Sequence, residues 1–287
     1  MTHTKLQKPK INISTDKNYK TVKKMVQESY LNTVCAEARC PNIYECWNRK
    51  TATLMILGDT CTRACGFCSV KTGKPTWNDP LEPIRVAQAV KKMGLRHVVI
   101  TSVDRDDLKG DFGASIWADT IKQTKKVNPG CTVEVLTPDF KGFEPALKIV
   151  FDSKPDIFSH NVECVERISK AVRAQANWQR SLGVLEKSIQ HGLRTKTGIM
   201  VGLGEEVEEV KKTMRQVVDL GVQIFTIGQY LQPTKNHLKV EEYISKEQFE
   251  LYKEYGYSIG FKVVESGPLV RSSYHADEQA RMVFNNG

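Results

Sequence analysis

The sequence predicts an α/β protein built as a partial (β/α)6 TIM-type barrel. A chain of 287 residues with 40% hydrophobic residues is long and apolar enough for one large core. Six apolar runs are typical of buried strands, and a helical pattern follows most of them. Alternating strands and helices form a parallel sheet with right-handed crossovers, closed or nearly closed into a barrel.

The elements follow one another in a regular order. Strands are predicted at 52–57, 96–101, 132–136, 156–159, 194–201 and 222–227. Helices are predicted at 19–30, 79–93, 112–127, 144–151, 165–171, 178–191 and 205–220. Apolar residues recur at helical spacing in 79–93, Asn-Pro-Gly ends 112–127, and acidic residues begin 205–220.

The strand pattern also predicts which loops carry the active site. In parallel barrels the active site lies at the carboxyl ends of the strands. The loops at those ends are 58–70, 102–107, 137–140, 160–163, 201–206 and 228–233.

The first of these loops contains three cysteines, Cys61, Cys65 and Cys68, spaced C-x3-C-x2-C. A closed zinc site requires four ligands, and a fully ligated four-iron cluster requires four thiolates. Three thiolates therefore favour a cluster with one iron that has no protein ligand and is free to bind a small molecule. The alternatives are a zinc loop or three unrelated thiols.

A second triplet precedes it, Cys35, Cys40 and Cys46, spaced C-x4-C-x5-C. Six of the eight cysteines therefore fall between Cys35 and Cys68, a clustering that favours metal over disulfides. Each triplet lies in its own short segment, which favours two separate clusters. Cys131 and Cys164 have no cysteine neighbours and are expected to be small buried hydrophobes.

The C-x3-C-x2-C motif, with Phe67 before its last cysteine, resembles the signature of the radical S-adenosylmethionine (SAM) enzymes. With the second triplet, the resemblance narrows to the lipoyl synthase family. Further segments similar to that family are 38–43, 45–47, 51–58, 228–237 and Arg-Ser-Ser-Tyr-His-Ala at 271–276. The resemblance extends from about residue 19 to residue 279.

This resemblance implies an activity and its cofactors. The family inserts two sulfur atoms, at C6 and C8, into an octanoyl chain carried on a protein lysine. It uses SAM and two 4Fe-4S clusters, one that cleaves SAM to a 5′-deoxyadenosyl radical and one that donates sulfur. Cys61, Cys65 and Cys68 match the ligands of the first cluster. Cys35, Cys40, Cys46 and a serine, here Ser273, match those of the second.

Contacts to SAM are harder to assign. Asn161 and Glu163 follow the fourth strand and are candidates for the ribose hydroxyls. Gly202 and Gly204 follow the fifth strand and permit close approach of an adenine ring, although a plain strand–helix turn explains them equally well. Arg173 and Gln229 are further candidates from flanking loops.

Three regions are predicted along the chain. Residues 1–50 form an N-terminal extension with the second cysteine triplet, 51–233 the barrel, and 234–287 a C-terminal extension with the 271–276 motif. The extensions are expected to cover the barrel mouth. The resemblance also implies partners: octanoylated lipoyl domains of 2-oxoacid dehydrogenases or the glycine cleavage H protein, a ferredoxin- or flavodoxin-type electron donor, and a cluster-repair carrier.

Composition limits the other functions. The net charge of +9 (42 Lys and Arg against 33 Asp and Glu) suits an acidic partner or a solvated surface. No RNA-binding signature is present, so nucleic-acid binding is not expected. No long apolar run is present, so a membrane span is not expected. A cytoplasmic location is expected instead. The alternatives are a radical SAM enzyme that adds sulfur to tRNA, which would carry an RNA-binding module, and a non-enzymatic iron–sulfur or zinc module, which metal analysis would identify.

Overall fold

The structure is a computed structural model that describes residues 8–9, 15, 17–28, 31–38, 40–49 and 51–285. Most of the first 20 residues of the N-terminal extension lie outside the described residues, as does the end of the predicted helix 19–30. The part of that helix that is described belongs to a helix over Lys17–Glu28.

The centre of the fold is an eight-stranded sheet. In chain order the strands are β1 (Asn32–Thr33), β2 (Thr53–Ile56), β3 (Thr60–Cys61), β4 (Lys71–Thr72), β5 (His97–Ser102), β6 (Thr132–Leu136), β7 (Ile157–Ser159), β8 (Thr195–Val201), β9 (Ile224–Gln229) and β10 (Val263–Gly267). The sheet order is β1-β2-β5-β6-β7-β8-β9-β10, and β3 pairs separately with β4.

Six of these strands, β2 and β5 to β9, confirm the predicted ones, and the strands of the main sheet from β2 to β10 are all parallel. Two strands extend the predicted sheet. β1 pairs antiparallel with β2, and β10, from the C-terminal extension, adds a seventh parallel strand beside β9. In the part of the chain that is described, the sheet begins at β1 and ends at β10, so the barrel is partial and open.

Helices precede, connect and follow the strands. They are α1 (Lys17–Glu28), α2 (Val34–Glu37), α3 (Ile43–Asn48), α4 (Glu82–Met93), α5 (Ala114–Val127), α6 (Glu144–Asp152), α7 (Ser169–Val172), α8 (Trp178–Gln190), α9 (Val207–Asp219), α10 (Lys246–Ser258) and α11 (Ala276–Asn285). The predicted helix 165–171 is a 3-10 turn, Glu166–Ile168, followed by α7. Side chains cap several helices at their starts; Asn177, for example, accepts a hydrogen bond from the Arg180 backbone at the start of α8.

The last helix closes the amino-terminal end of the barrel. Ala280 and Val283 of α11 pack in one apolar cluster with the first residues of three strands, Ile157, Ile224 and Val263. The opposite, carboxyl end is therefore where the sheet can open into a cavity. No helix among the described residues is long and apolar enough to cross a membrane.

Candidate functional site

A cavity of about 510 Å³ lies at the carboxyl ends of the strands. Five of the six predicted loops contribute to its wall, and residues from both extensions line it as well. All of the cysteines in the two triplets line this cavity, together with Ser273: Cys35, Cys40, Cys46, Cys61, Cys65 and Cys68. The fold therefore brings both triplets into one chamber, although Cys46 and Cys61 are 15 positions apart in the sequence.

The 61–68 loop is attached to the end of β5. Thr62 donates its backbone N–H and its hydroxyl to the carbonyl oxygen of Asp104, both at 3.0 Å. The backbone N–H groups of Arg63 and Asp104 each point at the sulfur of Cys61, with N–S distances of 3.4 Å. Backbone donors aimed at a cysteine sulfur favour the thiolate, which is the form that binds iron.

Arg63 anchors this loop inside the barrel. Its side chain is 4% exposed and contacts three carboxylates. Two of its nitrogens donate to Asp106 at 2.8 and 2.9 Å, one donates to Asp139 at 2.7 Å, and Asp104 lies 3.3 Å away. Burial raises the pKa of Asp104 to about 6 in spite of the opposing Arg63 charge. No sequence pattern predicts the role of Arg63, whose only local signal is its position between Cys61 and Cys65.

The second triplet lies on α2, on α3 and in the turn between them. Stacking of Tyr19 on Tyr44, with ring centroids 5.4 Å apart, packs α1 against α3. Thr53 connects this triplet to the C-terminal extension. Its hydroxyl donates to the Ser273 hydroxyl oxygen at 2.7 Å. Burial, and then the nearby Cys40, raise the pKa of the Cys35 thiol, while a hydrogen bond from the Thr53 backbone opposes this rise. Ser273 and Cys35 therefore both lie next to Thr53.

A glycine makes room for the C-terminal segment. At Gly228, in β9, a β-carbon would lie 2.0 Å from the carbonyl oxygen of Val270. Any side chain at this position would push the 270–273 segment away from the barrel. Arg271 follows directly, and its guanidinium lies near the Cys40 thiol, close enough to influence the pKa of both groups.

Burial keeps the free thiols protonated. It raises the pKa of Cys35 and Cys61 to about 11 and that of Cys46 and Cys65 to about 12. Iron binding supplies the positive charge that offsets this penalty, and the thiols release their protons as it binds. Six thiols that are buried or half-buried and line the same cavity, with backbone donors at Cys61, suit iron–sulfur ligation.

The candidates for SAM contacts divide into two groups. Asn161, Glu163 and Arg173 line the cavity. Asn161 donates to the Ser272 hydroxyl at 2.6 Å, while its buried Oδ1 has no hydrogen-bond partner in the described part of the chain. One nitrogen of Arg173 binds the carbonyl oxygens of Asn161 and Val162 at 3.3 and 3.0 Å. Asn161 therefore offers an acceptor that a hydroxyl would satisfy.

The second group of candidates consists of Gly202, Gly204 and Gln229. Gln229 lines the cavity, but its side-chain amide donates to the Glu242 carbonyl at 2.9 Å and accepts from the Ile244 backbone at 2.8 Å. Gly202 and Gly204 are not among the cavity-lining residues. A β-carbon at Gly202 would lie 2.1 Å from the Gln229 amide nitrogen, so this glycine is required by packing. SAM contacts by these three residues stay predictions.

His160 lines the cavity, and both of its ring nitrogens are hydrogen-bonded to protein groups. It is buried, and its ring nitrogens bond to the Thr137 carbonyl at 2.9 Å and the Ser181 hydroxyl at 3.0 Å. Burial, and then the charge of Arg173, lower the pKa of His160 to about 4. The imidazole is therefore neutral in the folded protein at neutral pH.

This lowered pKa predicts a pH dependence of stability. Between pH 6.5 and about 4 the unfolded chain binds a proton at His160 and the folded chain does not. The folded state should therefore lose about 1.4 kcal/mol for each pH unit as the pH falls through this window. His160→Gln should remove this contribution, measured as the difference between variant and parent in urea unfolding of the cluster-free chain. Equal pH profiles for the two proteins would contradict the assignment.

Comparison with known proteins identifies the family. Residues 55–217 match the radical SAM superfamily. The lipoyl synthase of Rubrobacter xylanophilus is 58% identical over 263 residues, which cover 91% of this chain and 82% of that protein. The chain belongs to the lipoyl synthase family. The lipoyl synthase of Oceanobacillus iheyensis is 53% identical over 282 residues, which cover 96% of this chain and 90% of that family member.

Solved structures agree with the fold of this lipoyl synthase family member. The crystal structure of Streptococcus suis SuiB bound to S-adenosylmethionine superposes with a TM-score of 0.58 at 12% identity. The alignment covers 90% of this chain and 58% of that one. At this identity the likeness concerns the fold alone, and it supports the partial barrel derived from the strand order.

Proposed function

We propose that this chain is a lipoyl synthase, a sulfurtransferase that completes lipoyl groups in place. Its substrate is an octanoyl chain bound to a protein lysine, and the product carries sulfur at C6 and C8. The observation that supports this proposal is the single cavity lined by both cysteine triplets at the carboxyl end of the sheet. A reaction that removes hydrogen at one centre and takes sulfur from another requires both centres to lie within reach of the same substrate.

In this proposal each cysteine triplet holds a 4Fe-4S cluster. Cys61, Cys65 and Cys68 hold the cluster that binds SAM, and Ser273 joins Cys35, Cys40 and Cys46 as the fourth ligand of the second. When bound, these groups supply the radical that removes hydrogen from an unactivated alkyl carbon and the sulfide that replaces it, a chemistry beyond side-chain acids and bases. In this assignment the barrel, 51–233, holds the first cluster. The two extensions, 1–50 and 234–287, hold the second.

The chain's own side chains shape the space between the sites. Apolar side chains of neighbouring strands, Met55, Val99 and Leu136, line the cavity and suit the octanoyl chain. They exclude water from the region where a carbon radical would otherwise be quenched. Thr53 directs its hydroxyl hydrogen at the Ser273 oxygen, which stabilises negative charge on that oxygen when it binds iron.

Three residues are proposed to hold SAM. The unpartnered Oδ1 of Asn161 and the carboxylate of Glu163 are placed to accept hydrogen bonds from ribose hydroxyls. Arg173 is fixed by backbone carbonyls through one nitrogen, which leaves the rest of its guanidinium for the carboxylate of the methionyl group.

The partner proteins follow from the substrate. We propose octanoylated lipoyl domains of 2-oxoacid dehydrogenases or the glycine cleavage H protein as carriers. A ferredoxin- or flavodoxin-type protein would deliver electrons, and an iron–sulfur carrier would rebuild the second cluster. The net charge of +9 suits an acidic carrier surface.

The test is mass spectrometry of an octanoylated carrier domain after anaerobic incubation with the reconstituted enzyme, SAM and a reductant. We expect the carrier to gain two sulfur atoms, with a one-sulfur species appearing earlier. The non-octanoylated carrier is the control and should not change. A carrier that gains no sulfur while the enzyme cleaves SAM would contradict the proposed substrate.

A further inference from the structure

We propose that Glu45 and Arg49 are positioning residues for the second cluster site. They hold the C-terminal segment that carries Ser273 against the helix that carries Cys46. We call these two residues, with Tyr274, His275 and Glu278, the C-terminal clasp. This inference rests on the proposed function, because it concerns the ligand set of the proposed second cluster.

The first half of the clasp is centred on Glu45. This residue precedes Cys46 on α3, and its carboxylate reaches the segment after Ser273. The Tyr274 hydroxyl lies 3.2 and 3.3 Å from the two Glu45 oxygens, and the His275 Nε2 lies 2.9 Å from one of them. The residue before a cysteine ligand thus contacts the two residues after the serine ligand.

Arg49 forms the second half from the other end of α3. Its guanidinium lies 2.8 Å from the His275 Nε2 and forms an ion pair with Glu278 on α11. A second carboxylate of α11, on Asp277, lies 3.5 Å away. The same His275 nitrogen accepts from Arg49 in one tautomer and donates to Glu45 in the other, so the imidazole keeps a partner on α3 in either form.

The clasped segment adopts a backbone conformation that requires support. His275 has a φ of 52°, in the left-handed region that non-glycine residues rarely adopt. Its ring stacks on that of Tyr274, with centroids 4.0 Å apart. A second anchor comes from the start of α3, where the side-chain amide of Asn42 donates to the Leu269 carbonyl at 2.6 Å. Contacts on both sides of Ser273 therefore fix its place relative to the cysteines.

The clasp is better suited to local positioning than to global stability. The side chains of Glu45 and Arg49 are 45% and 33% exposed, and exposed ion pairs contribute little to the free energy of unfolding. Their loss should therefore change how firmly Ser273 is held without unfolding the protein. This distinguishes the clasp from a general folding contact.

The experiment measures iron retention in the full-length reconstituted enzyme. A Glu45→Ala/Arg49→Ala variant and the parent are loaded anaerobically to about eight irons per chain, the content of two four-iron clusters. A chelator is then added, and iron release is followed with time. We expect about half of the iron to leave the variant at least fivefold faster than it leaves the parent, while the other half leaves at the parental rate.

Two further variants control this result. Glu144→Ala/Lys187→Ala removes another exposed ion pair, of 2.6 Å, whose residues do not line the cavity, and it should release iron like the parent. Glu45→Gln keeps an acceptor for Tyr274 and His275. This variant should therefore keep most of the iron retention that the double variant loses. Melting temperatures of the variants, compared with the parent, show whether each one folds.

The outcomes separate this inference from the proposed function. Parental iron release from the double variant, or equally faster release of all of its iron, would overturn the clasp. A lowered melting temperature in both Glu45→Gln and the double variant would also overturn it, since the role would then be general folding. A parent enzyme that holds only one cluster, or adds no sulfur to its carrier, would instead overturn the proposed function.

Discussion

Replacing Cys65 with alanine should abolish SAM cleavage, whereas replacing Cys35 should abolish only sulfur insertion. Cys65 belongs to the proposed SAM-binding cluster, and Cys35 to the proposed sulfur donor. Without its radical source the reaction should fall to the uncatalysed background, a loss of at least about 10⁶-fold. The measurements are 5′-deoxyadenosine formation and the sulfur content of the carrier, with iron counted in each variant.

The two variants should therefore fail differently. Cys35→Ala should still form 5′-deoxyadenosine in the presence of the octanoylated carrier, and Cys65→Ala should not. Cys131→Ala is the matched control, because Cys131 is a buried thiol that does not line the cavity, and it should retain both products. A Cys35→Ala enzyme that adds sulfur at full yield would refute the assignment of the second site.

Replacing Arg63 with alanine should destabilise the protein and empty the first cluster site. The change leaves Asp104 and Asp106 without this partner and removes one of the two arginines that contact the fully buried Asp139. Breaking a buried ion pair in this way costs about 3–5 kcal/mol. Arg63→Lys should recover only part of the loss, because lysine cannot form the two-point contact with Asp106.

Arg180 provides the matched control for this change. It contacts the same Asp139 at 3.1 Å, but its side chain is 33% exposed. Arg180→Ala should therefore cost about 1 kcal/mol or less. The measurements are urea unfolding of the cluster-free chains and the iron content after reconstitution. Similar losses for the two arginine variants would show that Arg63 has no special part in holding the loop.

Local sequence patterns were sufficient for the strands and loops of the barrel. The apolar runs and the turns between them identify β2 and β5 to β9, but not the short pair β3 and β4, and parallel pairing then brings Cys61 to the same edge as Asn161. β10 was not predicted, because Val-Val-Glu-Ser-Gly is short and half polar and becomes a strand only by pairing with β9. Its hydrogen-bonding partners decide its conformation more than its own residues do.

Contacts between distant residues could not be predicted from the chain. Arg63 and Asp139 are 76 residues apart, and no local pattern connects an arginine in a cysteine loop with an aspartate after β6. Ser273 was identified only by resemblance to a family, because a single serine in a polar segment has no signal of its own. Gln229 was a candidate for SAM contact because of its place in a flanking loop, yet the fold satisfies its side-chain amide internally.

The bond between Thr53 and Ser273 joins positions 220 residues apart. A ribosome adds about 5–20 residues per second, so the serine is made roughly 10–40 s after the threonine. For most of that interval the six clustered cysteines have already been made, while Ser273 has not. With Ser273 as the proposed fourth ligand, the second centre reaches its full ligand set only after codon 273 has been translated.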